Sequence, residues 1–350
     1  MSDEVSMKNL EDVDLVALLK LVSQSLSNEG VTQKTVDFWR WKHFDNPFGQ
    51  SVGLAACKSN ELVAVRPLMR WHFLCDSGSY SALRAVDTAT APEWRGRGLF
   101  RKLTDKCVQN AHKDGVSFIF NSPNSSSLPG YVKMGWRHVA QLKVFLCVSS
   151  PARFVFSFMK YKFFKRNRVA EKWCRVSGGK VQSLSLFRDS RDLLKLASSF
   201  EEKRRAQGYR TPRTPEYLYW RYVDQPNADY GVHVSRDANG SISAISILRL
   251  EVRSGLLGAV LLEVFSQKSD VESVAVEIRR VKRELKVDYF VSYFSPLSVE
   301  ASASKKCGFF RFPFKYINFA FRPLGENVSY DIDPLNPESW DISYGELEVF

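Results

Sequence analysis

The 350 residues are 44% apolar and 25% charged, close to the averages of folded, water-soluble proteins, which argues against a disordered, collagen-like or coiled-coil chain. Fifty Lys and Arg against 38 Asp and Glu leave a net charge of +12, which favours contact with something anionic: nucleic acid, a membrane surface or phosphorylated small molecules. The length suits about two domains of roughly 150 residues.

Asp3, Glu4, Glu11, Asp12 and Asp14 precede any apolar run, the reverse of a secretory signal, and no stretch of 18 apolar residues occurs. No export and no membrane span are expected, and the location expected is cytoplasmic. Leu15, Leu18, Leu19, Val22 and Leu26 recur at helical spacing, whereas 53–65, 82–90 and 116–121 are short runs punctuated like strands. From Leu99 a second helix follows, with Leu103, Cys107, Val108 and Ala111 at three and four. Residues 151–180 are rich in Phe, Lys and Arg and close with Ser177-Gly178-Gly179, which reads as a solvated basic connector with a capacity for peripheral contact with a membrane face or RNA. Strands at 231–234, 243–251 and 258–266, a helix at 271–285 and a strand at 289–294 repeat the style of the first half. The six cysteines lie 18 or more residues apart, without zinc or redox spacing, and read as free thiols; no metal is expected.

The chain also repeats itself. Trp41-Lys42-His43-Phe44-Asp45-Asn46-Pro47 reappears as Trp220-Arg221-Tyr222-Val223-Asp224-Gln225-Pro226, and Lys133-Met134-Gly135-Trp136 as Lys306-Cys307-Gly308-Phe309. Between these anchors, Ala85-Val86-Asp87-Thr88 answers more weakly to Leu262-Glu263-Val264-Phe265. Three matches in one order imply a duplicated α/β unit.

The first copy holds a strand through Thr90, a turn at Pro92, and then Arg95-Gly96-Arg97-Gly98 immediately before the Leu99 helix. Helix-opening amides lack internal partners, so an anion can fill that place, with glycines permitting close approach and two arginines adding charge. The segment lacks the Gly-Lys-Ser/Thr ending of a nucleoside-triphosphate loop and the third glycine of a dinucleotide fingerprint.

The Gly96-x-Gly98 loop resembles the acyl-CoA pyrophosphate loop of the GNAT N-acetyltransferase superfamily, with Glu93 at the position that is basic or an amide in the family. Asn124, Tyr131, Lys133, Gly135 and Trp136 are similar to its Asn and Tyr-x-Lys-x-Gly-aromatic element. The resemblance implies an α/β fold of two tandem GNAT-like domains, each a mixed central sheet flanked by helices. Residues 1–150 would carry the acyl-CoA loop, 151–180 the basic linker, and 181–350 a degenerate copy contributing to the acceptor site, since Gln267, Lys268, Ser269 and Asp270 offer no glycine there.

Acyl-CoA is the cosubstrate so implied, held by Thr88, Ala89, Thr90, Arg95, Gly96, Arg97, Gly98, Leu99, Phe100, Asn121, Asn124 and Tyr131. Asn124 would meet the pantetheine arm and Tyr131 would protonate the departing thiolate. A neutral amine would attack the thioester directly, with amides near Thr88 to Thr90 polarising its carbonyl. Asp87 is the first candidate to relay the amine's proton, from its position beside that backbone; His43, His72 and Asp45 follow. In some tandem relatives a terminal carboxylate serves, which points to Phe350. Trp41, Trp220, Tyr222 and Phe44 are candidates to stack on an acceptor.

The tandem pattern resembles FemX-type transferases and bacterial N-acyltransferases of nucleotide-linked amino sugars. The implied acceptor is therefore a dTDP- or UDP-amino sugar destined for surface polysaccharide, with no nucleic-acid partner. Two alternatives stand beside it: an inactive scaffold gripping RNA or anionic lipid through 151–175, and an aminoacyl-tRNA-dependent transferase.

Overall fold

The computed structural model describes residues 5–26, 34–76, 78–164, 172–188, 192–202, 208–325, 330 and 332–347. In chain order the first strands are β1 (Ser6–Asn9), β2 (Val52–Lys58), β3 (Glu61–Cys75), β4 (Gly78–Ala85), β5 (Ala89–Thr90), β6 (Phe118–Asn121) and β7 (Arg137–Val148). They are followed by β8 (Val181–Ser183), β9 (Tyr230–Arg236), β10 (Ile242–Arg253), β11 (Leu256–Ser266), β12 (Tyr289–Ser292) and β13 (Phe310–Pro323). The early helices are α1 (Leu15–Leu26), α2 (Val36–His43), α3 (Leu99–Lys113), α4 (Leu128–Lys133) and α5 (Pro151–Phe164). The later ones are α6 (Trp173–Ser177), α7 (Asp192–Glu202), α8 (Pro215–Tyr222), α9 (Val271–Glu284), α10 (Val299–Lys306) and α11 (Tyr344–Leu347).

Two compact units form, and they are not the contiguous stretches 1–150 and 181–350 expected from the sequence. The first takes residues 1–140, 318–339 and 349–350, the second 141–317 and 340–348. The reason is how each sheet is completed. In the first unit the order is β1-β2-β3-β4-β6-β13, and β6 is closed antiparallel by the end of β13, with Asn121 opposite Ala320. In the second the order is β7-β12-β11-β10-β9-β8, and β12 is closed antiparallel by the end of β7, with Tyr289 opposite Val148. Each unit thus draws its closing strand from the other half of the sequence, covering a sheet edge that would otherwise be bare.

Alternation along the strands sets the layers of the first unit. Val65 packs with Leu18, Val22 and Trp39 of α1 and α2, whereas its neighbour Ala64 packs with Leu103, Cys107 and Tyr131 of α3 and α4. In the second unit β11 is buried along its entire length, as a strand covered on both faces must be, and α9 and α10 seat Val274, Ile278 and Ala301 against Leu261 and Phe290.

The sequence anchors are the same local structure built twice. Thr35 caps α2 by accepting from the Phe38 amide at 3.1 Å, and Thr214 caps α8 by accepting from the Tyr217 amide at 3.2 Å. Past each helix, Asn46 Oδ1 takes the Phe48 amide and Gln225 Oε1 takes the Asn227 amide. The second anchor ends α4 and α10 alike: Gly135 and Gly308 adopt φ of 91° and 84°, and the amides of Trp136 and Phe309 reach back to Tyr131 and Ser304 at 3.1 Å.

Candidate functional site

In the first unit, β4 and β6 run parallel through Ala82↔Phe118, Leu83↔Ile119 and Arg84↔Phe120, then part. β6 ends at Asn121, while the other strand turns at Asp87, which takes a φ of 47°, and continues as β5 to pair with β3. A crevice opens where two parallel strands diverge at their carboxyl ends, the usual ligand position in such sheets. Its volume is about 520 Å³, with Asp87, Thr88 and Thr90 on one wall, Asn121 and Asn124 on the other, and Arg95, Phe100 and Tyr131 also facing it.

α3 begins at one side of this crevice. Gly96 and Gly98 both lie in the left-handed region, with φ of 74° and 76°, where a Cβ would be strained although nothing lies within 4 Å of it. Gly98 supplies no side-chain cap, no acid sits in the first turn, and the helix ladder starts with the Lys102 amide bonding the Gly98 carbonyl at 3.0 Å. The amides of the opening turn therefore offer an anion site. Arg95 is braced by its Nε donating to the Thr90 carbonyl at 3.2 Å, and Arg97 stacks on Trp94 at 4.6 Å. At the equivalent place in the second unit, α9 is capped by its own Asp270 carboxylate, which takes the Ser273 amide at 2.7 Å. That helix already holds its anion.

The residue that sequence reasoning missed is Arg66. It stands on β3, fully buried, with its guanidinium against the rings of Phe100 (5.4 Å) and Tyr131 (5.3 Å). Nη1 donates to the Tyr131 hydroxyl oxygen at 3.0 Å and to Thr88 Oγ1 at 2.5 Å, while Nε and Nη2 are buried without hydrogen-bond partners. A guanidinium kept this dry is costly unless a negative group shares the site for part of a reaction cycle. With its oxygen accepting from Arg66, the Tyr131 hydroxyl has its own proton to give, and charge left on that oxygen would meet a cation. The one available signal was an arginine inside the apolar run from Leu62 to Met69.

Asp87 is placed in the crevice wall but is committed elsewhere. It pairs with Lys34 at 3.2 Å, Lys42 at 2.6 Å and His43 Nε2 at 3.1 Å, all nearly dry. Burial alone would raise its carboxyl, but Lys42, His43 and Lys34 outweigh that and hold it well below the usual range. Such a carboxylate is a poor proton acceptor, which speaks against the expected role of Asp87 as base. Burial lowers His43 as well, and brings Lys42 down to about 8. The second unit builds the same cluster: Arg213 meets Glu263 at 3.5 Å and the Tyr222 hydroxyl donates to Glu263 at 2.9 Å. Lys34, His43 and Asp87 thus answer to Arg213, Tyr222 and Glu263, whereas Gly98 and Tyr131 answer to Asp270 and Ser304. What recurs is architecture; what differs faces the crevice.

The other expected residues divide likewise. Thr88, Thr90, Arg95, Phe100, Asn121 and Asn124 converge on the crevice with Tyr131, whereas the side chains of Ala89 and Leu99 are buried in the core. Trp41 packs on Phe38, and Asp45 and Phe44 are exposed in the turn after α2. His72 is half-buried beside Phe48, away from the crevice. Trp220 and Tyr222 are buried in the second unit, which removes them as stacking platforms. Phe350 lies outside the described residues.

The crevice fits a thioester coenzyme on its own chemistry: an uncapped helix start with two arginines for the diphosphate, and buried, unpartnered Asn121 Oδ1 and Ser122 Oγ for an amide-bearing arm. Among the described residues no group of three His, Cys, Asp or Glu could hold a metal ion, and no helix is long and apolar enough to cross a membrane.

Residues 6–139 match the acetyltransferase (GNAT) domain family. No curated protein matches the sequence. Among solved structures, a conserved protein of unknown function from Enterococcus faecalis aligns over 92% of this chain and 73% of its own, with a TM-score of 0.61 at 14% identity. A GCN5-related N-acetyltransferase from Anabaena variabilis aligns over 91% and 73%, with a TM-score of 0.61 at 11% identity. Saccharomyces cerevisiae N-myristoyltransferase, solved with bound myristoyl-CoA, aligns over 92% and 83%, with a TM-score of 0.55 at 10% identity. At these identities the likeness to the solved structures is one of fold.

Proposed function

We propose, from a chain whose residues 6–139 match the acetyltransferase (GNAT) domain family, that this is an N-acyltransferase and that the crevice of the first unit passes an acyl group from CoA directly to an amine. The observation that carries this reading is the Tyr131 hydroxyl, lining the crevice and held at 3.0 Å by a buried Arg66. Bound acyl-CoA supplies an activated thioester. The amides opening α3, with Arg95 and Arg97, take its diphosphate, and Asn121 and Asn124 take its amide-bearing arm. Tyr131 gives the proton of its phenol oxygen to the leaving sulfur, Arg66 offsets the negative charge that remains, and the proton that the nitrogen sheds on amide formation returns to that phenolate through solvent. Positioned proton donation of this kind contributes about 10²- to 10⁴-fold in rate.

Among the described residues Asp87 is the one acidic residue lining the crevice, and it is tied up in ion pairs, so the amine enters already neutral. The acceptor we infer is a nucleotide-linked amino sugar receiving an acetyl or short hydroxyacyl group, in the manner of surface-polysaccharide synthesis. The support is the net charge of +12, which suits two phosphorylated substrates. Thiol release from acetyl-CoA and longer acyl-CoAs, followed across dTDP- and UDP-amino sugars, tests both levels. Release with other amines but none of these sugars removes the acceptor; no release with any amine removes the activity.

A further inference from the structure

α5 has two unlike faces. Tyr161 packs against Gly255, where an added Cβ would sit 2.5 Å from the tyrosine's own, and Ser157 donates to Asp288 Oδ1 at 3.1 Å. Phe154, Ser157 and Tyr161, spaced by three and four, are the partly buried side that fastens the helix to the second unit. The opposite side carries Val155, Phe156, Met159 and Phe163, exposed by 58%, 70%, 42% and 70%. At about 100° per residue these four occupy an arc of roughly 100°, a continuous apolar stripe facing away from the protein.

Single exposed apolar residues need no explanation, but four in one stripe, two of them phenylalanines, do. Lys162 borders the stripe on one flank, and Lys160 and Arg153 border it on the other; all three are exposed, and the helix contains no acid. The 14 residues extend about 21 Å, short of the roughly 30 Å hydrocarbon thickness, so such a helix lies along a bilayer instead of crossing it.

We propose that α5 is an interfacial helix that docks the enzyme on an anionic lipid surface. Val155, Phe156, Met159 and Phe163 enter the boundary between headgroups and acyl chains, while Arg153, Lys160 and Lys162 reach back to lipid phosphates. A bare polyanion such as RNA would satisfy the cations and leave the apolar stripe in water, and for that reason the lipid surface is the occupant. A second copy of the chain would place the same three cations against each other.

Flotation of the full chain with vesicles of phosphatidylcholine, with and without phosphatidylglycerol, tests this. Binding is expected to the mixed vesicles alone, to weaken as salt rises, to be lost in Phe156→Ser/Phe163→Ser, and to fall at least about ten-fold in Lys160→Glu/Lys162→Glu. Thiol release with soluble substrates is expected to stay unchanged in both variants, which also shows that they fold. The proposal is overturned by absence of binding to the mixed vesicles, by binding that both variants retain, by equal binding to both vesicle types, or by a concentration-dependent dimer that Phe156→Ser/Phe163→Ser abolishes.

Discussion

Arg66 and Tyr131 lie 65 residues apart in sequence and share a buried hydrogen bond of 3.0 Å, donated by the guanidinium of β3 to the phenol oxygen. Tyr131→Phe removes the proton and is expected to lower kcat at least ten-fold with little change in the KM for acyl-CoA. Thiol-release kinetics at saturating acceptor check it; an unaltered kcat removes Tyr131 as the acid.

Arg66→Met separates activity from stability. Two of its donors are orphaned in the wild-type chain, so a methionine of similar reach is expected to leave the melting temperature unchanged or raised. Turnover is nonetheless expected to fall about ten-fold or more, because the phenolate loses its cation. A variant that melts early and retains full turnover per folded molecule would assign Arg66 to structure alone.

Asp87→Asn acts in the opposite way. It strands Lys34 and Lys42 in a dry site, at an expected cost of about 3–5 kcal/mol. Because the folded carboxyl titrates far below the unfolded value of about 3.9, its contribution is complete above that value and fades as acid carries the pH down through the folded one. Chemical unfolding of wild type and variant at neutral and acid pH should show a gap that narrows with acidification. A gap independent of pH would contradict the assignment.

Gly98→Val tests the helix start. Nothing in the protein lies near the added Cβ, so any loss comes from the backbone, where a left-handed β-branched residue costs about 1–2 kcal/mol or more. The KM for acyl-CoA is expected to rise at least ten-fold while the acceptor KM holds. Equal changes in both would mean that the loop does not bind the coenzyme.

His233 provides a pH probe in the second unit. Burial would lower its pKa, but Glu277 at 2.7 Å and Glu284 at 2.8 Å bond its ring and raise it instead. The folded chain therefore holds a proton that the unfolded chain releases near pH 6.5; the stabilisation is full below that point and is lost as pH climbs through the folded value. His233→Gln should flatten this part of the stability profile, as measured by denaturant midpoints across the range.

Much of this was legible in the residues. The Trp41 and Trp220 segments are built from capped helices and short turns, structures that local sequence dictates, and for that reason they announced the duplication. Gly96 and Gly98 were legible because few other residues adopt their φ. The ion pairs of Asp87 were not legible because Lys34 and Lys42 lie more than forty residues away, and a repeat motif says nothing of which carboxylate its lysine meets. Arg66 was hidden because an arginine on a strand is ordinary until its burial is known. The exchange of β7 and β13 was invisible for the same reason: Asn121 meets Ala320 across nearly two hundred residues, and pairing at that distance leaves no periodic trace.

That exchange bears on how the chain is born. When the ribosome has released only the first 150 residues, β6 still waits for a neighbour to be synthesised near the far end of the message. The sheet of the first unit is therefore completed late, and a premature stop after residue 310 would release a chain with its glycine loop and Tyr131 intact but that sheet unfinished.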